Sequence, residues 1–153
     1  MLLPEKLVLD TSVLVEYIIA RSPYRSIVED IFAKAKRREL ELYVNTITLA
    51  ETLYTTTKIY KAANIENPNE EAENFITWIT AKARVIDIDT PTSILAGELK
   101  KKLRIALPDC FVIASARRIG GRALFKKIEA EMRNVIEELR ELGVVFLEEI
   151  HKL

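Results

Sequence analysis

At 153 residues, 49% of them apolar and 30% charged, the chain has the size and balance of one soluble domain with a single sizeable core. Twenty-three basic and 23 acidic side chains cancel to a formal charge of zero, so the total charge points to no class of partner. A single cysteine, Cys110, excludes an intramolecular disulfide and a multi-cysteine zinc site, and a single histidine, His151, argues against a histidine-built metal site. The lone thiol fits a reducing cytoplasm. The N-terminal MLLPEKLVLD is interrupted by Pro, Glu and Lys where a signal peptide needs an unbroken apolar stretch. No apolar run approaches the roughly 18 residues of a membrane span.

In chain order, apolar runs of strand length alternate with helical patterns. Lys6–Asp10 is predicted as the first strand and Ser12–Ala20 as a helix. Ser22-Pro23 signals a second helix reaching about Arg38. Leu40–Val44 is the second strand, and Thr48–Ala63 is helical with Leu49, Leu53, Ile59 and Tyr60 on one face. NIENPNE is a turn, Glu70–Arg84 a helix and Val85–Ile88 the third strand. Thr90-Pro91 opens a helix to about Arg104, and Pro108-Asp109 another to about Ile119, where Gly120-Gly121 breaks it. Arg122–Lys126 is the fourth strand, Lys127–Leu142 a last helix ended by Gly143, and Val144–Leu147 the fifth strand. Strand–helix–strand repetition without a linker implies one domain over residues 1–153, with a parallel sheet covered by helices on both faces. In such folds the functional crevice lies beyond the carboxyl ends of the strands, where strand order reverses.

Three acids occupy such places: Asp10 closing the first strand, Glu51 on the first turn after the second, and Asp109 opening the helix before the fourth. If the second and fourth strands flank the first, all three converge. Carboxylates gathered at one point repel, and a cation between them relieves the repulsion. Oxygen ligands without His or Cys suit Mg2+ or Mn2+. Each acid also has a plainer reading as a helix-start residue: Asp10 beside Thr11 and Ser12, Glu51 in a Thr48-x-x-Glu51 capping box, Asp109 after a proline where an acid favours the helix dipole.

The order and context of the three resemble one family. LVLDTSVLVEY, TITLAETLY and LPDCFVIASARRIGGRALF are similar, in sequence order, to the corresponding segments of PIN domains, and among them to VapC-like toxins. The resemblance implies a three-layer α/β/α fold around a central parallel sheet of about five strands. It implies a Mg2+- or Mn2+-dependent endoribonuclease that hydrolyses RNA phosphodiesters by metal-activated water, with Asp10, Glu51 and Asp109 as catalytic metal-binding acids. It further implies a cytoplasmic toxin of a toxin–antitoxin pair. Its partners would be a small antitoxin seated in an apolar groove among the early helices, with a basic side chain among the acids, and a second copy in a homodimer.

The chain departs from the family pattern where a fourth acid commonly follows the fourth strand. In RALFKKIEAE, Lys127 stands about there, with Glu129 and Glu131 beyond it as candidate replacements or as ordinary polar residues of the last helix. That departure leaves open one metal or two, and leaves as the alternative a catalytically weak or inactive nucleic-acid-binding or scaffold protein of the same fold. Asp87 and Asp89 follow the third strand, which the family places at the sheet edge, and Asp89 accompanies the Thr90-Pro91 helix start; Glu16 and Glu98 are expected to be solvated. From Lys100 to Lys127 nine basic residues face one acid, Asp109, a local charge of +8 that would attract RNA phosphates if folding keeps it together. Ser12 in place of a second aspartate argues against a haloacid-dehalogenase-like phosphatase, and no Gly-rich loop supports a nucleotide-binding P-loop.

Overall fold

The computed structural model describes residues 5–150. Its five strands are β1 (Glu5–Leu9), β2 (Leu40–Asn45), β3 (Arg84–Ile86), β4 (Arg122–Phe125) and β5 (Val145–Phe146). They pair in parallel in the order β3-β2-β1-β4-β5, so β1 is central and the order reverses beside it. The helices are α1 (Thr11–Leu14), α2 (Arg25–Lys36), α3 (Thr46–Ala62), α4 (Pro68–Lys82), α5 (Thr90–Leu103), α6 (Leu107–Ile119), α7 (Ala130–Arg133), α8 (Ile136–Glu141) and α9 (Leu147–Ile150). None is long and apolar enough to cross a membrane.

The pleat sends successive side chains of a strand to opposite faces, and both faces here are apolar. Leu7 and Leu9 enter one core with Leu42, Val44 and Leu124, closed by Val13 and Leu14 of α1, Phe32 of α2 and Phe75 and Ile79 of α4. Val8 enters the other with Tyr43, Ala123 and Phe125, closed by Leu99 and Leu103 of α5 and Val112 and Ile113 of α6. The result is the expected three-layer α/β/α arrangement. At the margin of the first core, Tyr17, Phe75 and Trp78 stack, with Tyr17 and Trp78 centroids 4.4 Å apart, and Phe32 packs edge-on to Tyr17.

The Gly120-Gly121 break has two separate causes. Gly120 caps α6 at φ 69, a backbone that glycine adopts without steric cost. A β-carbon on Gly121 would lie 2.8 Å from the Lys6 carbonyl oxygen, so the entry of β4 beside β1 admits no side chain there.

Two helix expectations need correction. The first helix is one α-helical turn, α1, followed by a 3-10 turn over Val15–Tyr17, rather than a helix to Ala20. The long helix expected over Lys127–Leu142 is two short ones. The Ile128 amide donates to the Glu148 carboxylate at 2.9 Å, and Val135, at φ −126 and ψ 22, leaves helical geometry between α7 and α8. Met132 and Leu139 nonetheless reach the same core, one from each piece. His151 lies outside the described residues.

Candidate active site

The central position of β1 decides where the site forms. Asp10, the residue after β1, donates its amide to the Leu124 carbonyl of β4 at 3.1 Å. Its side chain is buried, and it is the N-cap of α1: Oδ2 accepts from the Ser12 amide at 3.0 Å and from the Ser12 hydroxyl at 2.6 Å. The helix-start reading of Asp10 therefore holds, with Ser12 as its donor. The same Ser12 oxygen accepts the Lys126 amide at 3.1 Å, which ties Asp10 to the end of β4.

Glu51 arrives on α3. The capping box expected at Thr48-x-x-Glu51 does not form, because the helix starts earlier: Asn45, at the end of β2, is its N-cap and accepts the Thr48 amide at 2.7 Å. Asn45 is fully buried and donates from Nδ2 to Ser115 of α6 at 3.1 Å, fastening the start of α3 to that helix. Glu51 thus lies in the second turn, with its carboxyl free of any capping duty. Thr11 joins α1 to α3 through the Thr52 hydroxyl at 3.1 Å and the Thr48 carbonyl at 3.4 Å.

Asp109 lies in the first turn of α6, after Pro108. The N-cap of that helix, Ala106, offers no side chain, and its amide donates instead to Glu131 of α7 at 3.0 Å. This contact brings the segment after β4 against the start of α6.

The three acids are brought within each other's fields. Burial raises the Asp109 carboxyl to about 7, helped by the charges of Asp10, Glu131, Glu51 and Glu129, in that order. Burial and then Asp10 raise Glu51. Burial raises Asp10 as well, against the hydrogen bonds from Ser12 and Thr11 that lower it, and Glu129 adds a further push upward. Glu129 and Glu131 therefore belong to the same acidic neighbourhood. Among the described residues, however, no three Asp, Glu, His or Cys side chains stand close enough to hold a metal ion as they are. The acids share a field without yet sharing a ligand point. Asp89 caps α5, accepting the Thr92 amide at 2.9 Å, and pairs with Arg118, away from this group.

Glu16, expected to be solvated, is buried: its carboxylate pairs with Lys126 at 2.5 Å beneath the α1–β4 junction. The same ammonium lies 5.7 Å from the centre of the Tyr24 ring. The +8 segment is divided by the fold. Lys100–Arg104 end α5 and lead to the Asp109 end of α6. Arg117 and Arg118 lie about 12 Å along that helix from Asp109 at 1.5 Å per residue, and Arg122 pairs with Glu5 at the start of the sheet. Sequence reasoning missed Asn45, Ser115, Glu16 and Lys126 as supports of the site. Only Asn45 carried a local signal, being a favoured N-cap at a strand end.

Residues 7–127 match the family model described as "PIN domain". The chain belongs to the PIN-domain family. Solved PIN-type toxins share its fold at low identity. The chain is similar to a chain of VapBC2 from Rickettsia felis, crystallised bound to a promoter DNA fragment, with TM-score 0.67 and 18% identity over 92% of this chain and 98% of that one. It is similar to a chain of a toxin–antitoxin complex from Klebsiella pneumoniae, with TM-score 0.63 and 13% identity over 92% and 97%. It is also similar to Mycobacterium tuberculosis VapC20, a toxin that cleaves the sarcin–ricin loop, with TM-score 0.60 and 14% identity over 76% and 86%. No curated protein sequence matches it. PIN domains are typically nucleases that use a divalent metal, and the carboxylate-only donors here are of the right chemistry for one.

Proposed function

We propose that this PIN domain, taken as one domain over the full chain, is a metal-dependent endoribonuclease resembling the VapC toxin of a toxin–antitoxin pair. One observation carries the reading. Asp10, Glu51 and Asp109, from three separate elements, lie within one another's electrostatic reach, with all three carboxyls raised above their usual range. Burial first, and neighbouring acidic charge second, hold these carboxyls up, and a cation among them would relieve both. Asp10, Glu51 and Asp109 would hold Mg2+ or Mn2+, drawing together to do so, and Glu129, whose charge acts on both Asp10 and Asp109, would stand in for the family's fourth acid. A bound divalent ion supplies a lowered pKa for water and neutralises charge at a phosphodiester. The chain's own residues do the rest. Ser12 orients the Asp10 carboxylate, the Lys126 amide fixes Ser12, and Asn45 fixes the helix that presents Glu51.

The partners follow from the resemblance: an RNA substrate, a small antitoxin, and a second copy of the chain. The aromatic group of Tyr17, Phe32, Phe75 and Trp78 is the apolar feature among the early helices that suits an antitoxin. Lys127 favours the second reading, a nucleic-acid-binding PIN-like protein without activity, because it adds a cation where the family commonly has an acid. Cleavage of structured RNA with Mn2+ separates the two. Wild type and Glu131→Gln should cleave, whereas Asp10→Asn, Glu51→Gln and Asp109→Asn should each lose at least 100-fold, the scale on which electrostatic groups act in hydrolases. Cleavage by none of them leaves the binding protein as the answer.

A further inference from the structure

Beyond the end of β4 a cavity of about 610 Å3 opens, lined by Lys127, Ile128, Glu129 and Ala130, by Arg133 of α7, by Ile136 and Arg140 of α8, and by Glu148 of α9. Ligand pockets run from roughly 300 to 1,000 Å3, so it has room for one nucleotide. Its position matters more than its size. Glu129, on its wall, also acts on both Asp10 and Asp109, so cavity and acidic crevice are neighbours.

The charges in it sort into engaged and free. Glu148 accepts the Ile128 amide at 2.9 Å. Arg140 is held by both carboxylate oxygens of Glu149 at 3.2 Å. Lys127 and Arg133 are exposed, and among the described residues neither has a hydrogen-bond or ion-pair partner. Other exposed cations, Lys36 and Lys61 among them, also lack such partners, so what sets these two apart is their shared place on the wall of one cavity. Two unpartnered cations on the rim, beside apolar Ile128, Ala130 and Ile136, give the combination that a nucleotide needs. Cations meet the phosphate, and an apolar surface takes the face of the base.

We propose that this cavity seats the nucleotide next to the scissile phosphate of single-stranded RNA, with its phosphate on Lys127 and Arg133 and its base against Ile128 and Ile136. Lys127 then gains a role in place of the acid it displaces: it binds the substrate instead of a second metal. The inference rests on the ribonuclease reading for its substrate, but its test needs no catalysis.

Wild type in EDTA is titrated with a fluorescent 12-nucleotide single-stranded RNA, beside Lys127→Ala/Arg133→Ala, the conservative Lys127→Arg/Arg133→Lys, and Lys82→Ala as a control on another surface. The double alanine variant should bind about 10-fold more weakly or worse, and its log K against log salt slope should be shallower by about 1.4 for two lost phosphate contacts. The conservative pair and Lys82→Ala should bind within about 2-fold of wild type. Adenosine 5′-monophosphate should shift the methyl resonances of Ile128 and Ile136 in wild type and not in the double alanine variant. An unchanged affinity and slope in that variant, or tighter binding of an acidic peptide than of RNA, overturns the proposal. If wild type binds RNA through Lys127 and Arg133 yet never cleaves it with Mn2+, the ribonuclease reading falls and the cavity stands. If it cleaves while the double alanine variant binds unimpaired, the reverse holds.

Discussion

The raised acids make an unusual forecast: removing a proposed catalytic charge should stabilise the metal-free protein. Asp109 is the best place to test it. Moving its carboxyl from 3.8 to about 7 sets a ceiling of roughly 4 kcal/mol on the cost of keeping it ionised well above pH 7. Asp109 is only partly buried, and Asp10 and Glu51 share the repulsion, so about 2 kcal/mol is the expected net value after solvent screening. The sign follows from proton uptake. An acid whose value is raised by folding holds its proton more tightly in the folded chain than in the unfolded one, so stability falls as pH rises from about 4 to about 7. Asp109→Asn removes that loss. In EDTA at pH 8 its melting temperature should exceed that of wild type by about 4–8 °C, and at about pH 3.5, where the carboxyl is mostly protonated in the folded and unfolded chain alike, the two should nearly coincide. Adding Mn2+ at pH 8 should raise the wild type and leave Asp109→Asn little changed. Calorimetry at the two pH values reads all three results. An Asp109→Asn protein no more stable than wild type at pH 8 without metal would refute the claim that burial and its acidic neighbours hold the Asp109 carboxyl up.

Two further expectations concern the supports of Asp10. Lys126→Met strands the buried Glu16 carboxylate and should cost about 3 kcal/mol in urea unfolding, whereas Glu16→Leu/Lys126→Met should recover most of it, because an apolar pair no longer buries an unmatched charge; equal losses in single and double variants would count against the pairing. Ser12→Ala removes the hydroxyl that donates to the Asp10 carboxylate and accepts the Lys126 amide. It should weaken Mn2+ binding by about 10-fold in calorimetric titration, as loss of a ligand-orienting contact does, and an unchanged affinity would show that Asp10 needs no such support.

The fold was legible because its determinants are periodic and local. Leu7-Val8-Leu9 reads as a buried strand from composition alone, and the two faces of that run do enter two different cores. Gly120-Gly121 punctuates the chain for reasons any short window carries. The three acids were visible as candidates because each lies at or near a strand end or a helix start, places that this topology sets at one edge of the sheet. What escaped was set by long-range contact. Glu16 sits among ordinary helical residues, and nothing nearby in sequence announces a lysine 110 positions later as its partner. Asn45 was hidden by Thr48, which offered a plausible cap and so misplaced the start of α3. The split of Lys127–Leu142 turns on the bond from the Ile128 amide to Glu148, made across twenty residues. The division of the +8 segment likewise depends on which end of α6 each cation occupies.

The central place of β1 also sets when the site can exist. Asp10 is synthesised well before β4, and its amide waits for the Leu124 carbonyl, as Ser12 waits for the Lys126 amide. At a translation rate of about 5–20 residues per second, the interval between the two ends is some seconds long. Closing a loop of that length is also a slow kind of contact for a folding chain. Through that interval a nascent chain carries Asp10 and Glu51 without the strand that positions them. A protein assembled in this order has no ordered acidic crevice while it is still being made; the crevice appears only once β4 has left the ribosome and docked.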